Sequence, residues 1–143
     1  MPYCTQSDIL KQIAEAAVIQ LTDDSGTGAI VTAVVTAAIA DADAEIDAYC
    51  SGRYPVPFSP VPDMVRKLSV DIAIYNLFSR RAEITIGEDR KGRYDNSIRF
   101  LRDVSQGKAS LGGDAPAETD ASLPQATTAK EDRIFTRDTM EGY

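Results

Sequence analysis

Four of the eight residues at positions 55–62 are proline: Pro55, Pro57, Pro60 and Pro62. Proline fixes φ and has no amide hydrogen, so this stretch can be neither the interior of a helix nor the centre of a sheet. It must be an extended connector. Its Val56 and Phe58 can still lie on a core. The connector divides the chain into two halves, and each half has its own helical pattern.

In the first half, Thr5 is placed to cap a first helical turn, and Asp8 follows at capping-box spacing. Ile9, Leu10, Ile13, Ala17 and Leu21 recur at helical intervals, so one helix is expected from Thr5 to about Leu21. Thr22-Asp23-Asp24-Ser25-Gly26-Thr27-Gly28 then reads as a turn rich in side-chain acceptors and glycine. A longer helix is expected over 29–51. Its apolar stripe is Val35, Ile39, Ala42, Ile46 and then Tyr49 or Cys50. Asp41 and Glu45 border the stripe on one side, Asp43 and Asp47 on the other. An apolar seam edged with acid suits a helix packed in a bundle or between subunits.

Beyond the connector, a third helix is expected over 63–80, with Met64, Leu68, Ile72, Tyr75 and Phe78 on its inner face. A fourth is expected over 88–105, with Tyr94, Ile98, Leu101 and Val104 inward and Gly107 as its stop. Asp95 and Arg99 form a favourable i,i+4 pair on its flank. Residues 108–111 have the pattern of a short β element. The fold class is therefore all-α: a small four-helix domain over 1–111 with a Pro-rich connector. At Gly112 the composition shifts. Residues 112–131 are mostly Ala, Pro, Asp, Thr and Ser and cannot form a core of their own, so they read as a low-complexity linker. Extended, such a linker reaches ~65 Å. Residues 132–143 form a C-terminal arm with an apolar cluster of Ile134, Phe135, Met140 and Tyr143.

Charge is unevenly distributed. Residues 1–60 carry eight acids and two bases, residues 61–106 seven acids and nine bases, and residues 107–143 seven acids and four bases. An acidic first half and a mildly basic middle can attract each other, within one molecule or between copies. The net charge of -7 argues against a generally basic nucleic-acid binder and against docking on an anionic membrane. The most apolar run, 29–40, is too short to span a bilayer. With no signal-like start, the expected product is soluble and made in the cytoplasm.

The chemistry that can be read is mostly negative. The chain has no histidine, which excludes histidine acid–base catalysis and His-ligated metal. Cys4 and Cys50 form no CxxC pair and are expected to be reduced. Asp41, Asp43, Glu45 and Asp47 resemble the start of a calcium loop, but the sixth and twelfth positions hold Ile46 and Gly52 where an EF-hand needs Gly and Glu. The glycine pairs lack a phosphate-loop pattern, and no serine has a histidine to activate it. The expectation is no enzyme, no cofactor and no metal. Asp71 falls on the expected inner face of the third helix. A buried lone carboxylate is costly unless it is paired, and Arg53 is the expected partner in a structural ion pair. Arg90, Arg93, Arg99 and Arg102 alternate with acids and form no clean nucleic-acid stripe. They are expected, with Asp41, Asp43, Glu45 and Asp47, to supply subunit-interface contacts.

Several blocks then carry a resemblance. Tyr3, Thr5 and Asp8-Ile9-Leu10 are followed by Leu21-Thr22-Asp23. Next come Ala38-Ile39-Ala40-Asp41-Ala42-Asp43-Ala44-Glu45-Ile46-Asp47-Ala48-Tyr49 and Gly52-Arg53-Tyr54-Pro55-Val56-Pro57. Asp71-Ile72-Ala73 with Tyr75, Arg93-Tyr94-Asp95 with Ile98-Arg99-Phe100-Leu101, Gly107-Lys108 and Leu111-Gly112 complete the set. In this order they resemble the Mu-like phage protein family that belongs with the head-to-tail connector (adaptor) proteins of long-tailed phages. Arg133-Ile134-Phe135-Thr136-Arg137-Asp138 is similar to the end of such proteins. The loop 24–28 and the linker have no counterpart pattern.

The resemblance implies a virion neck subunit repeated in a homo-oligomeric ring, commonly of about twelve copies. The ring would sit under the portal, extend the DNA channel without binding DNA specifically, and carry the next neck or tail-completion protein. The arm (Arg133, Ile134, Phe135, Arg137, Met140 and Tyr143) would dock on the portal or a neighbouring copy. Alternatives are a stopper or tail-completion protein of the neck, or a soluble helical regulatory or nucleic-acid-binding module.

Overall fold

Thr5 caps the first helix of the computed structural model, which describes residues 1–112. The capping box is complete: the Asp8 amide donates to Thr5 Oγ1, and the Thr5 amide donates to the Asp8 carboxylate. The expected single helix is, however, two: α1 (Gln6–Leu10) and α2 (Glu15–Thr22). Ala14 between them is extended. The carbonyl that Gln12 exposes at this break accepts a hydrogen bond from Arg90 at 3.0 Å, so an arginine distant in sequence satisfies what the interrupted helix leaves open. The break lets Ile9 and Ile13 on one side, and Val18 and Leu21 on the other, all reach the core.

Thr22 joins α2 to the next element. Its hydroxyl donates to the Val18 carbonyl at 2.8 Å and accepts from the Val31 amide at 3.2 Å. α3 (Thr32–Cys50) follows. It buries Val35, Ala38, Ile39, Ala42, Ile46 and Cys50, which is the expected stripe widened by one alanine. The Pro-rich connector leads to α4 (Asp63–Ser79), and a shorter link leads to α5 (Glu88–Ser105).

The three long helices pack against one another, while α1 and α2 lie on α3 and α4. α4 is therefore central, and residues 68–74 are all buried. A helix enclosed on every side shows little amphipathicity, so the expected inner face is only partly right. Leu68 and Ile72 are buried, Tyr75 and Phe78 are half-buried, and Met64 is exposed. Val65, Val70, Ala73, Ile74 and Leu77 complete the buried apolar set.

No strand occurs among the described residues, which corrects the β element expected over 108–111. That segment turns back on the end of α5, where the Lys108 and Ala109 amides both donate to the Asp103 carbonyl. Gly107 permits the turn with φ +76, a left-handed conformation that glycine adopts without a Cβ clash. Leu111 is buried, and its amide donates to the Tyr54 hydroxyl at 3.3 Å. The expected linker and arm lie outside the described residues.

Candidate assembly interface

The four acids of α3 separate into two pairs. Asp43 and Asp47 form one edge, and residues 1–4 cover it. The Tyr3 amide donates to Asp43 at 2.9 Å, the Tyr3 hydroxyl donates to Asp47, and that same hydroxyl accepts from the Phe58 amide at 3.0 Å. The Tyr3 ring is buried and meets Phe58 edge-on, with centroids 5.7 Å apart. Ser69, buried on α4, donates to Asp43 at 2.7 Å and lies 3.1 Å from Cys4 Sγ. One half-buried carboxylate thus holds the N-terminal segment, α3 and α4 together.

This environment shifts the groups in it. Burial pushes the Asp43 carboxyl above the usual carboxylate range; the bonds from Ser69 and Tyr3 oppose the shift and the Asp47 charge reinforces it. Burial, with the bond to Asp47, also raises the Tyr3 phenol well above its ordinary value. Burial pushes Cys4 and Cys50 up to about 11, which leaves both as thiols near neutral pH.

Asp41 and Glu45 form the other edge. Glu45 accepts from the Tyr94 hydroxyl at 3.3 Å, and the Tyr94 ring stacks on Tyr75 with centroids 3.9 Å apart. Burial first, and then the Glu45 charge, pushes the Tyr94 phenol up to about 12. Asp41 is exposed and makes no ion pair among the described residues. Around it the outer face of α3 is small and smooth: Ala33, Ala37, Ala40, Ala44 and Ala48 are all exposed. A groove of about 600 Å³ runs beside this face, between α3 and the end of α4, with Ala37, Asp41, Asn76 and Arg80 on its walls.

The candidate arginines of α5 divide in the same way. Arg90 and Arg93 are engaged within the subunit: Arg90 holds the Gln12 carbonyl, and Arg93 donates to the Gln12 side chain at 3.2 Å and pairs with Asp71 at 3.8 Å. Arg99 and Arg102 are exposed and make no ion pair among the described residues.

Asp71 is buried as expected, but its expected partner is corrected. Its cations are Lys67 at 3.5 Å and Arg93 at 3.8 Å. The Arg53 guanidinium lies against Gly107 instead. Ser105, the last residue of α5, is twelve residues beyond Arg93, about 18 Å along the helix at 1.5 Å per residue, and Gly107 lies past it, so Arg53 is at the wrong end of α5 to reach Asp71.

The sequence reading missed the Tyr3 anchor, the Tyr75–Tyr94 stack and a clasp at the turn after α2. In the clasp, Arg80 and Arg81 both pair with Asp24, and they also donate to the Leu21 and Asp23 carbonyls respectively. The adjacent Asp23 carboxylate accepts from the Gly28 amide at 2.6 Å, and backbone donors of this kind hold it below the usual carboxylate range. Two consecutive arginines at a helix end, opposite two consecutive aspartates, were the available signal. The expected arm residues Arg133, Ile134, Phe135, Arg137, Met140 and Tyr143 lie outside the described residues. Among the described residues no group of three or more Cys, Asp or Glu side chains could hold a metal ion, and no helix is long and apolar enough to cross a membrane.

Over residues 3–130 the chain matches the protein family described as bacteriophage Mu, Gp36. It is also similar to the Mu-like prophage FluMu protein gp36 of Haemophilus influenzae. The two are 34% identical over 98 residues, which cover 68% of this chain and 67% of that protein.

Proposed function

This chain belongs to the bacteriophage Mu Gp36 family, and from that premise we propose that it is a structural head-to-tail connector subunit rather than an enzyme. In this reading, identical copies form a ring under the portal, extend the DNA channel, and carry the next component of the neck. The C-terminal arm, residues 132–143, fastens each copy to the portal or to a neighbour.

The observation that carries this reading is the pairing of two outward faces on one subunit. α3 presents a smooth, small-residue face centred on the exposed Asp41, and α5 presents the exposed Arg99 and Arg102. A head-to-tail ring needs two different, complementary patches on the same molecule. Small side chains allow a neighbouring helix to approach closely, and opposite charges set the register. The other candidate charges make contacts within the subunit, which favours these three for the proposed interface. The net charge of -7 accords with a channel that DNA traverses without sticking, since like charges repel within the screening length.

The test is charge reversal. Asp41→Arg alone, or Arg99→Glu with Arg102→Glu, is expected to abolish ring-sized particles in negative-stain microscopy of the chain mixed with purified portal. The three changes combined are expected to restore rings. Rings that survive both single-face reversals would refute the assignment of these faces.

A further inference from the structure

We infer that the pocket formed by the Pro-rich connector is the seat of this chain's own C-terminal segment, with Ile134 and Phe135 as the anchoring side chains. The pocket is a groove of about 500 Å³ lined by Tyr54, Pro57, Phe58, Val61, Pro62 and Leu111. Proline walls have no amide hydrogens to desolvate, so an apolar occupant meets few unsatisfied donors.

The walls are fixed before anything binds. Phe58 is held by the hydrogen bond its amide donates to the Tyr3 hydroxyl and by ring contacts with Tyr3 and Tyr54. The Tyr54 hydroxyl accepts from the Leu111 amide and lies 3.3 Å from Ser110 Oγ. A pre-organised groove keeps the ordering cost of binding low.

The occupant follows from where the chain goes next. Leu111 and Gly112 form part of the groove's rim, and residues 113–143 continue from that point. Residues 113–131 carry one large apolar side chain, Leu123, whereas residues 132–143 carry Ile134, Phe135, Met140 and Tyr143. Twenty-one residues lie between Gly112 and Ile134, a stretch that can span ~75 Å, so returning to the rim needs no stretching. The cost of closing such a loop rises only slowly with its length. The tether also gives the segment an effective concentration near millimolar at its own groove, above that of any second copy in dilute solution.

The docking does not depend on the connector reading, but its consequence does. If the chain is a connector subunit, its arm is stored on its own body until portal or neighbour displaces it.

The test uses the full chain carrying Ser59→Cys on the groove and Thr136→Cys beside Phe135. Cys4 and Cys50 are buried and remain in place. On mild oxidation at micromolar concentration, the expected product is an internally cross-linked monomer that forms at a rate independent of protein concentration. Adding Phe135→Asp is expected to slow that cross-link about tenfold, the loss of one buried aromatic anchor. Cross-linked dimers as the main product, a rate unchanged by Phe135→Asp, or no cross-link at all would each overturn the inference. Ring formation with portal is scored separately by microscopy, so rings without a Phe135-dependent cross-link refute the storage groove alone.

Discussion

The two acidic edges of α3 have the same chemistry and different fates. Asp43 and Asp47 take their hydrogen bonds from Tyr3 and Ser69 and lie half-buried against the N-terminal segment. On the opposite edge, Glu45 receives a single bond from Tyr94, and Asp41 faces outward with no ion pair among the described residues. Spacing along the helix sets the edge on which each acid lies. The rest of the chain decides whether that edge is covered. The covered edge holds the fold together, and the open edge is the one proposed for assembly.

The sharpest way to break this comparison is to remove the cover. Tyr3→Ala takes away a buried ring and both tyrosine hydroxyl bonds, and is expected to cost about 3–5 kcal/mol. Tyr3→Phe keeps the ring but leaves Asp47 and the Phe58 amide without their partner, at about 1–3 kcal/mol. Urea unfolding followed by far-UV circular dichroism measures both. If Tyr3→Ala costs no more than a surface substitution, residues 1–4 are not a structural cover and the two edges are equivalent.

The difference between the edges was not legible in the sequence, for a physical reason. The pattern within a helix reports which side is apolar, so the α3 stripe and the start of α5 at Glu88 could be read directly. The Thr5–Asp8 capping box was equally local. The Tyr3–Asp47 contact joins residues 44 apart, and no local rule encodes it. The break between α1 and α2 has the same origin: residues 12–14 contain neither glycine nor proline, and the exposed carbonyl is satisfied from Arg90, 78 residues away. Asp71 shows both sides of this limit. Its inward position follows from α4 periodicity, but its cation depends on how far along α5 the helices cross, which placed Arg93 there and Arg53 at Gly107. The short β element failed because a strand needs a partner, and near 108–111 the nearest backbone acceptor is the end of α5.

A smaller effect separates the covered edge by pH. Asp43 titrates above the usual carboxylate range because of burial, so the folded state keeps its proton longer than the unfolded chain does. The contribution of Asp43 to stability therefore falls as pH rises from about 4 through the Asp43 titration, and is constant above it. Asp8 behaves in the opposite way. Its hydrogen bonds from Lys11 and Thr5 bring it down to about 2, so the stability it contributes is present above the usual Asp value and is lost as pH falls from there to about 2. Urea midpoints across this range are expected to rise on the Asp8 limb and then decline on the Asp43 limb. Asp43→Asn is expected to abolish the decline and leave the rise. A decline that persists in Asp43→Asn would assign it to another group.

The smallest expected change in stability is at the open edge. Asp41→Ala removes an exposed carboxylate with no ion pair among the described residues, on a helix where alanine is the best former, so the unfolding free energy is expected to stay within about 0.5 kcal/mol of the parent. The same variant is expected to weaken association with a second copy at low salt. That weakening should fade as salt is added, because only a charge-mediated contact is screened over about 10 Å at 0.1 M. Sedimentation velocity at low and high salt, beside a urea curve, reads both quantities on one preparation. A cost above about 1 kcal/mol in the isolated chain would make Asp41 a structural residue like Asp43. An unchanged association with an unchanged fold would leave the outer face of α3 without a role in assembly.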